Sequence, residues 1–537
     1  MSLSFPELPC RLSGSRPSRL PCLLAALVVV GLVASSTAGA ADGEASPKAE
    51  SSPEVMSAPA AETPERKTVA ALLAATEPAA LRLLAEDVLR HSPEVARRRA
   101  EAAAAAARAP QAGSLPDPSA MLTLFALPPE TRVGPQRVAV SVSQAVPWPA
   151  KLALGERAAL WSAAAAGERV EAARLATLAH VRERFYQLAF TTERLAIAER
   201  ERVHLLRHEE LARARYAAGQ GSQQGVVKIQ AEITRAEQRL LEVEERRRAL
   251  AAELNALRER PHDADIDGLE LPRPMGSAES LTMMEESRLS VFDADRLDAE
   301  ELIGRAWERR PERRALAAEG IRRRLMVEVA EAGYRPDFTV GLGYTLVDRR
   351  QDAAGQLNPP EGDGDDIVAL SAGVRLPVRR GRLAAALEEA LQQQSVVAQE
   401  ERQLRQDFER TIGDLVARLP LLYDQWQLFE NVLVTQAEEA VRAAEGAYSS
   451  GTVGALELLD AEHVLFEVAT GEARARLELA LAWTRLETAV GGPLGGLRAR
   501  LESSARKSDE MTSKTLEEPM TGGTQMVGGI QTSGGTP

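Results

Sequence analysis

Apolar residues recur along this chain with two periods, and the periods take turns. In "DFTVGLGYTL" (337–346), Phe338, Val340, Leu342, Tyr344 and Leu346 alternate with Thr339, Gly341, Gly343 and Thr345. A period of two marks a strand with unlike faces. "VALSAGVRLP" (368–377) sets Val368, Leu370, Ala372, Val374 and Leu376 against Ala369, Ser371, Gly373 and Arg375. "RVAVSVSQAV" (137–146) sets Val138, Val140 and Val142 against Ala139, Ser141 and Ser143, whereas Ala120–Leu127 alternates poorly. Strands are therefore expected at about 119–127, 137–146, 337–347 and 367–377.

The other rhythm is helical. Residues 150–260 contain no proline, so two long helices are expected there, broken only near Gly219–Gly225. The first, Leu152 to Ala218, would be about 100 Å long at ~1.5 Å per residue. Its partner carries a heptad seam at Ile229, Ile233, Ala236, Leu240, Val243, Leu250, Leu254 and Leu257, interrupted at Arg247. A second pair is expected from Leu383 to Ser450, with a kink at Pro420, and from Ala455 to about Val490.

The two pairs belong to a duplication. "HSPEVARRRAEAA" (91–103) aligns with "RRPERRALAAEGI" (309–321), "LPDP" (115–118) with "RPDF" (335–338), and "VAVSVSQAVP" (138–147) with "VALSAGVRLP" (368–377). The turns "RYAAGQ" (215–220) and "AYSSGTVGALELLDA" (447–461) follow in the same order. The predicted fold class is mainly α with a transmembrane β part, built from duplicated β-β-long α-helical hairpin units. The organisation expected is a signal peptide at 1–40, a flexible leader at 41–80, a first repeat at 81–260, an insert at 261–298, a second repeat at 299–495, and a disordered tail at 496–537.

Composition narrows the function. The net charge is -13, and no basic patch with interleaved aromatics occurs, which argues against nucleic acid. Arg11, Arg16 and Arg19 precede the apolar run Leu23–Val33, and "AGA" (38–40) follows, as in a secretory signal. Both cysteines, Cys10 and Cys22, lie inside that segment, so the mature chain is expected to hold no disulfide. No later segment reads as a membrane-spanning helix, so entry into a membrane would have to be as strands. About ten residues per strand is the length a transmembrane barrel requires, yet the smallest such barrels have about eight strands. The same alternation fits a soluble half-buried sheet; combined with a signal segment and helices of this length, four strands per chain point to a barrel shared between subunits.

Catalytic chemistry finds little support. His204 and His208 stand at i, i+4, the spacing of two metal ligands, but "HLLRH" lacks the glutamate of a zinc protease. A solvated helix face is expected for them, and His463 is expected in a helix seam with Leu456, Leu459 and Phe466. No nucleophile triad, phosphate loop or cofactor fingerprint occurs; no enzyme, no metal and no cofactor are expected.

With "LPDP", "SQAVPWPAKLALGERAA" (143–159) and the two glycine turns in view, the sequence resembles the outer-membrane efflux protein (TolC-like) family over roughly residues 80–495. The resemblance implies a homotrimer whose twelve strands form one barrel among outer-membrane lipid, continued by an α-helical barrel in the periplasm. It implies a passive duct of a tripartite efflux or type I secretion system, which docks a periplasmic membrane-fusion adaptor and an inner-membrane pump. The adaptor-contact tips would be Ala218, Gly219 and Gln220, and Ser450, Gly451, Thr452 and Val453. Glu457 and Asp460 would form the channel constriction, although first-turn acids are also favoured by the helix dipole alone. Gly225 and Val453 stand where the family often places an acid and a base of its gating network, so closure by salt bridges is not expected. The alternative class is a soluble periplasmic coiled-coil scaffold or adaptor.

Overall fold

The computed structural model describes residues 68–76, 78–272 and 298–494. The signal segment with both cysteines, the early leader, most of the insert and the tail lie outside the described residues. The first half runs α1 (Thr68–Ala74), α2 (Ala79–His91), α3 (Pro93–Gly113), β1 (Ser119–Leu124), β2 (Glu130–Thr131), β3 (Gly134–Val146), α4 (Pro149–Ala217) and α5 (Gln223–Leu257). The second runs α6 (Ala299–Arg309), α7 (Pro311–Ala332), β4 (Asp337–Val347), α8 (Ala353–Leu357), β5 (Ile367–Arg375), α9 (Arg380–Leu428), a π-helical turn (Phe429–Leu433), α10 (Val434–Ser450) and α11 (Ala455–Val490). Helix, two long strands, long helix, turn and helix recur in that order in both halves, with the two-residue β2 between the long strands of the first and α8 between those of the second.

One expectation needs correction. The leader was expected to stay irregular to residue 80, but Thr68–Ala74 is helical because Val69 and Leu72 are buried against the core of α2, α4 and α5. Pro420, at which a kink is expected, lies within α9, and the α-helix runs on through it without a break. Leu419, Tyr423 and Trp426 around it are buried and hold the helix in place. The break falls at the π-helical turn, where one extra residue is accommodated.

The strands form one antiparallel sheet in the order β1-β3-β4-β5, with β2 paired to β3. Register decides which residues share a face. Leu122 pairs with Val140, Val140 with Tyr344 and Tyr344 with Val368; Val142 pairs with Leu342 and Leu342 with Leu370. One face is thus apolar across four strands; its side chains on β1 and β5 are exposed, Leu122 by 63%, Val368 by 69% and Leu370 by 82%, while Val140, Val142 and Tyr344 on the central strands are half-buried. The other face presents Thr123, Ser141, Gly343, Ser371 and Gly373, small or polar, with Met121 and Ile367 as apolar exceptions near its outer strands. β1, which alternates poorly as a sequence, joins this scheme through its pairing, with Ala120, Leu122 and Leu124 on the apolar side. Among the described residues β1 and β5 each pair along one edge only.

The core lies among the helices. Leu175, Leu178, Val181 and Phe185 of α4 pack with Leu250 and Leu254 of α5 and with Leu81, Ala85 and Val88 of α2. In the second half Ile412, Leu415, Leu419 and Trp426 of α9 pack with Leu479, Leu486 and Val490 of α11. The heptad seam is realised, since Ile229, Ala236, Val243, Leu250 and Leu254 are all buried. α4 also packs along α11, so the first repeat's long helix joins the two hairpins. No helix among the described residues is long and apolar enough to cross a membrane.

Candidate functional site

The two hairpin ends close in the same way. After α4, Gln220 N–H donates to the Arg215 carbonyl (2.9 Å) and Gly219 N–H to that of Tyr216 (3.0 Å). After α10, Thr452 N–H donates to Ala447 (2.9 Å) and Gly451 N–H to Tyr448 (3.1 Å). Gly219 and Gly451 have φ of 70° and 85°, the left-handed conformation that ends helices and that a Cβ disfavours. Ala218, Gly219, Gln220, Ser450, Gly451 and Thr452 are exposed and Val453 is half-buried.

A small apolar cluster holds these ends together. It joins Ala212 of α4, Ile229 of α5, Tyr448 of α10 and Leu458 of α11, with Val453 packed against it. Gly225 belongs to this contact: a Cβ there would stand 3.3 Å from the Ala455 Cβ, so the missing side chain lets α5 approach α11. The Arg215 guanidinium lies 4.6 Å from the Tyr448 ring centroid, a cation–π contact between the two turns. Arg215 was not singled out from the sequence, because its partner lies 233 positions away in the other turn.

Glu457 and Asp460 sit in the first two turns of α11, and both are exposed. At ~3.6 residues per turn they share one side of the helix, while Leu458 and Glu462 on the opposite side are buried. The Glu457 Oε2 accepts from the Gly454 N–H at 3.1 Å, capping the helix start. Capping and an outward-facing acid pair therefore coexist here.

The histidines depart from expectation. His204 and His208 do not lie on a solvated face: His208 is buried, and both rings meet Glu462 of α11, with His208 Nε2 2.7 Å and His204 Nδ1 3.2 Å from Oε1. The face of α4 that carries them packs on α11, which the spacing within α4 alone does not reveal. His463, expected in the seam, is exposed; its neighbour Glu462 points inward instead. Burial raises the Glu462 pKa, but hydrogen bonding from His208 and the nearby imidazoles outweigh it and leave the group below the ordinary carboxylate value.

Residues 302–492 match the family model described as outer membrane efflux protein. The match lies in the second half, narrower than the 80–495 over which the sequence resembles the family. No curated protein matches the chain. Among solved structures, the outer membrane protein VceC of Vibrio cholerae superposes with a TM-score of 0.60 at 20% identity, covering 77% of this chain and 96% of VceC. The MtrE outer membrane channel of Neisseria gonorrhoeae gives 0.59 at 19% identity, covering 77% and 89%. The CmeC outer membrane channel of Campylobacter jejuni gives 0.58 at 14%, covering 77% and 86%. At these identities the likeness concerns the fold, and it spans both halves.

Proposed function

We infer that this chain, whose residues 302–492 belong to the outer membrane efflux protein family, is the outer-membrane channel component of a tripartite efflux or type I secretion system. The observation that carries this reading is the four-stranded sheet. Its apolar face is exposed, both of its edge strands are paired on one side only, and it is continuous with helices about 100 Å long. Exposed apolar side chains at this density are unfavourable in water and favourable in lipid. Unpaired strand edges are equally unfavourable in hydrocarbon, where no water can satisfy them. Three copies joined edge to edge remove both problems at once, as a twelve-stranded barrel. The long helices would then extend from the outer membrane into the periplasm as a tunnel.

In that assembly the hairpin ends are the parts farthest from the barrel. Ala218, Gly219, Gln220, Ser450, Gly451, Thr452 and Val453 would meet the adaptor, and through it the inner-membrane pump. Glu457 and Asp460 would face the axis, six carboxylates in three subunits, at the constriction. Closure would rest on the apolar contact around Tyr448 and Leu458 rather than on ion pairs, since Gly225 and Val453 carry no charge. The duct is passive and needs no catalytic side chain. A soluble coiled-coil scaffold, the other class considered, leaves the exposed apolar face of the sheet without a role.

The deciding experiment is mass measurement of the full chain extracted from outer membrane in mild detergent. A trimer is expected. A stable monomer in the same detergent would overturn the shared-barrel reading, since four strands cannot close alone.

A further inference from the structure

We propose that His204, His208 and Glu462 form a binding site for a divalent transition-metal cation of the zinc class, with two imidazole nitrogens and one carboxylate oxygen as ligands. The site would clip α4 of the first repeat to α11 of the second.

The geometry is that of a converging donor set. His204 and His208, one turn apart on α4, direct Nδ1 and Nε2 at the same oxygen of Glu462, and the three donor atoms all lie within 4.8 Å of one another. A tetrahedral cation with bonds of ~2.0–2.2 Å needs donors about 3.3 Å apart. The 3.2 Å separation already meets this, the 2.7 Å one requires a small outward movement of the His208 ring, and the two imidazole nitrogens, within 4.8 Å of each other, would settle at the same spacing.

Burial supplies the second observation. The Glu462 side chain is only 3% exposed, yet its Oε2 has no hydrogen-bond partner, while both imidazoles crowd onto Oε1. A buried carboxylate oxygen left without a partner is costly. A pair of helices held by an ordinary histidine–glutamate hydrogen bond would need one imidazole; the second is surplus. A cation resolves the arrangement, because it takes both imidazoles in neutral form and the carboxylate as an anion.

An entry path is present. A cleft of about 450 Å³ between α4 and α10 is lined by His204, His208, Leu211, Arg442, Glu445 and Ser449. The His204 side chain is 34% exposed at its wall, so a water from the cleft can complete the coordination. Arg207 and Arg442 border the same space and oppose a cation, and Glu445 partly offsets them. The edge-on Phe466 ring, 5.5 Å from the His204 ring, limits the rotation of that imidazole. Two imidazoles with one carboxylate favour Zn²⁺, Cu²⁺ or Ni²⁺ over Mg²⁺ or Ca²⁺, which prefer all-oxygen sites.

The test uses the full detergent-solubilised chain, without a histidine tag and stripped with EDTA. Titration with Zn²⁺ is expected to give one tight site per chain and to raise the thermal midpoint, and Co²⁺ is expected to give visible ligand-field absorption. His204→Ala, which removes a partly exposed ligand, should weaken Zn²⁺ binding by more than the roughly 10- to 100-fold that outer partners of a metal site contribute. Glu462→Gln should do the same, and His463→Ala, on the exposed face beside it, should change nothing. If Glu462→Gln fails to fold, His204→Ala decides. The proposal is overturned if the parent takes up no Zn²⁺ at micromolar concentration, or if His204→Ala binds it as tightly as the parent. Binding is read whether or not the chain conducts, so failure here leaves the channel reading standing, and a monomer in detergent leaves the metal site standing.

Discussion

Leu370→Arg tests most directly whether the apolar side of the sheet faces lipid. β4 has eleven residues, about 34 Å at ~3.4 Å per residue. Tilted by about 40°, as in membrane barrels, it rises about 26 Å, close to the ~25 Å apolar band of an outer-membrane barrel. Leu342 is the middle residue of β4 and pairs with Leu370, which in a membrane barrel would stand near the midplane; its side chain is 82% exposed. An arginine at that depth costs about 2–4 kcal/mol, or roughly a 30- to 900-fold shift against insertion at 1.36 kcal/mol per factor of ten. Ala369→Arg is the matched control: one residue earlier, it faces Gly343 on the opposite side, which would line the barrel's interior. The assay is the fraction of protein that resists urea extraction from outer-membrane preparations. Leu370→Arg should lose most of that fraction and Ala369→Arg should keep it. Equal behaviour of the two variants, or normal insertion of Leu370→Arg, would mean that this face does not meet lipid.

Two further outcomes are expected. In planar bilayers across a salt gradient, the parent should be cation-selective and the Glu457→Gln, Asp460→Asn double variant should lose most of that selectivity while still folding, because glutamine can still accept the Gly454 N–H; unchanged reversal potential would leave these acids a helix-capping role only. Glu487→Leu should destabilise the chain by about 3–5 kcal/mol, because it strands the buried Arg182 whose Nη2 lies 2.6 Å from the Glu487 Oε2, whereas adding Arg182→Met should restore most of the loss; chemical denaturation of the single and double variants checks both.

Much of the fold was legible in the sequence because it rests on local periodicity. The glycine-to-glycine offset between halves and the period of two in "DFTVGLGYTL" needed no tertiary knowledge. What escaped depends on partners far along the chain. β1 reads as a poor strand because Met121 puts an apolar residue on the face opposite Leu122 and Leu124, and only its pairing with β3 assigns its faces. The π-helical turn has no composition signal; it becomes intelligible beside Gly471, where a Cβ would stand 2.5 Å from the Phe429 ring, so the wider turn seats Phe429 against a glycine. The histidines were misjudged for the same reason. Their third partner, Glu462, lies 254 residues away, and "DAEH" gives no cue as to which of its three polar residues points inward.

The charged residues buried along α11 have a common logic. Glu487 meets Arg182, Arg476 meets Glu193, and Glu462 meets His204 and His208, all on α4. From Arg182 to Glu193 is a step of 11 along α4, and from Glu487 back to Arg476 is the same step of 11 along α11, as two antiparallel helices require. Alanine- and leucine-rich faces tolerate sliding by one heptad, because each knob finds a similar hole. Buried ion pairs do not tolerate it, since a slipped register leaves each charge desolvated and unpaired. Their value here is specificity more than stability: they fix where the first repeat's long helix stands against the second's. That alignment also brings the ends of the two hairpins to one level, with Tyr448 under Arg215 and Leu458 against Ala212. The position of the polar turns thus follows from charges placed up to 36 residues deeper in the helices, counting from Gly451 to Glu487.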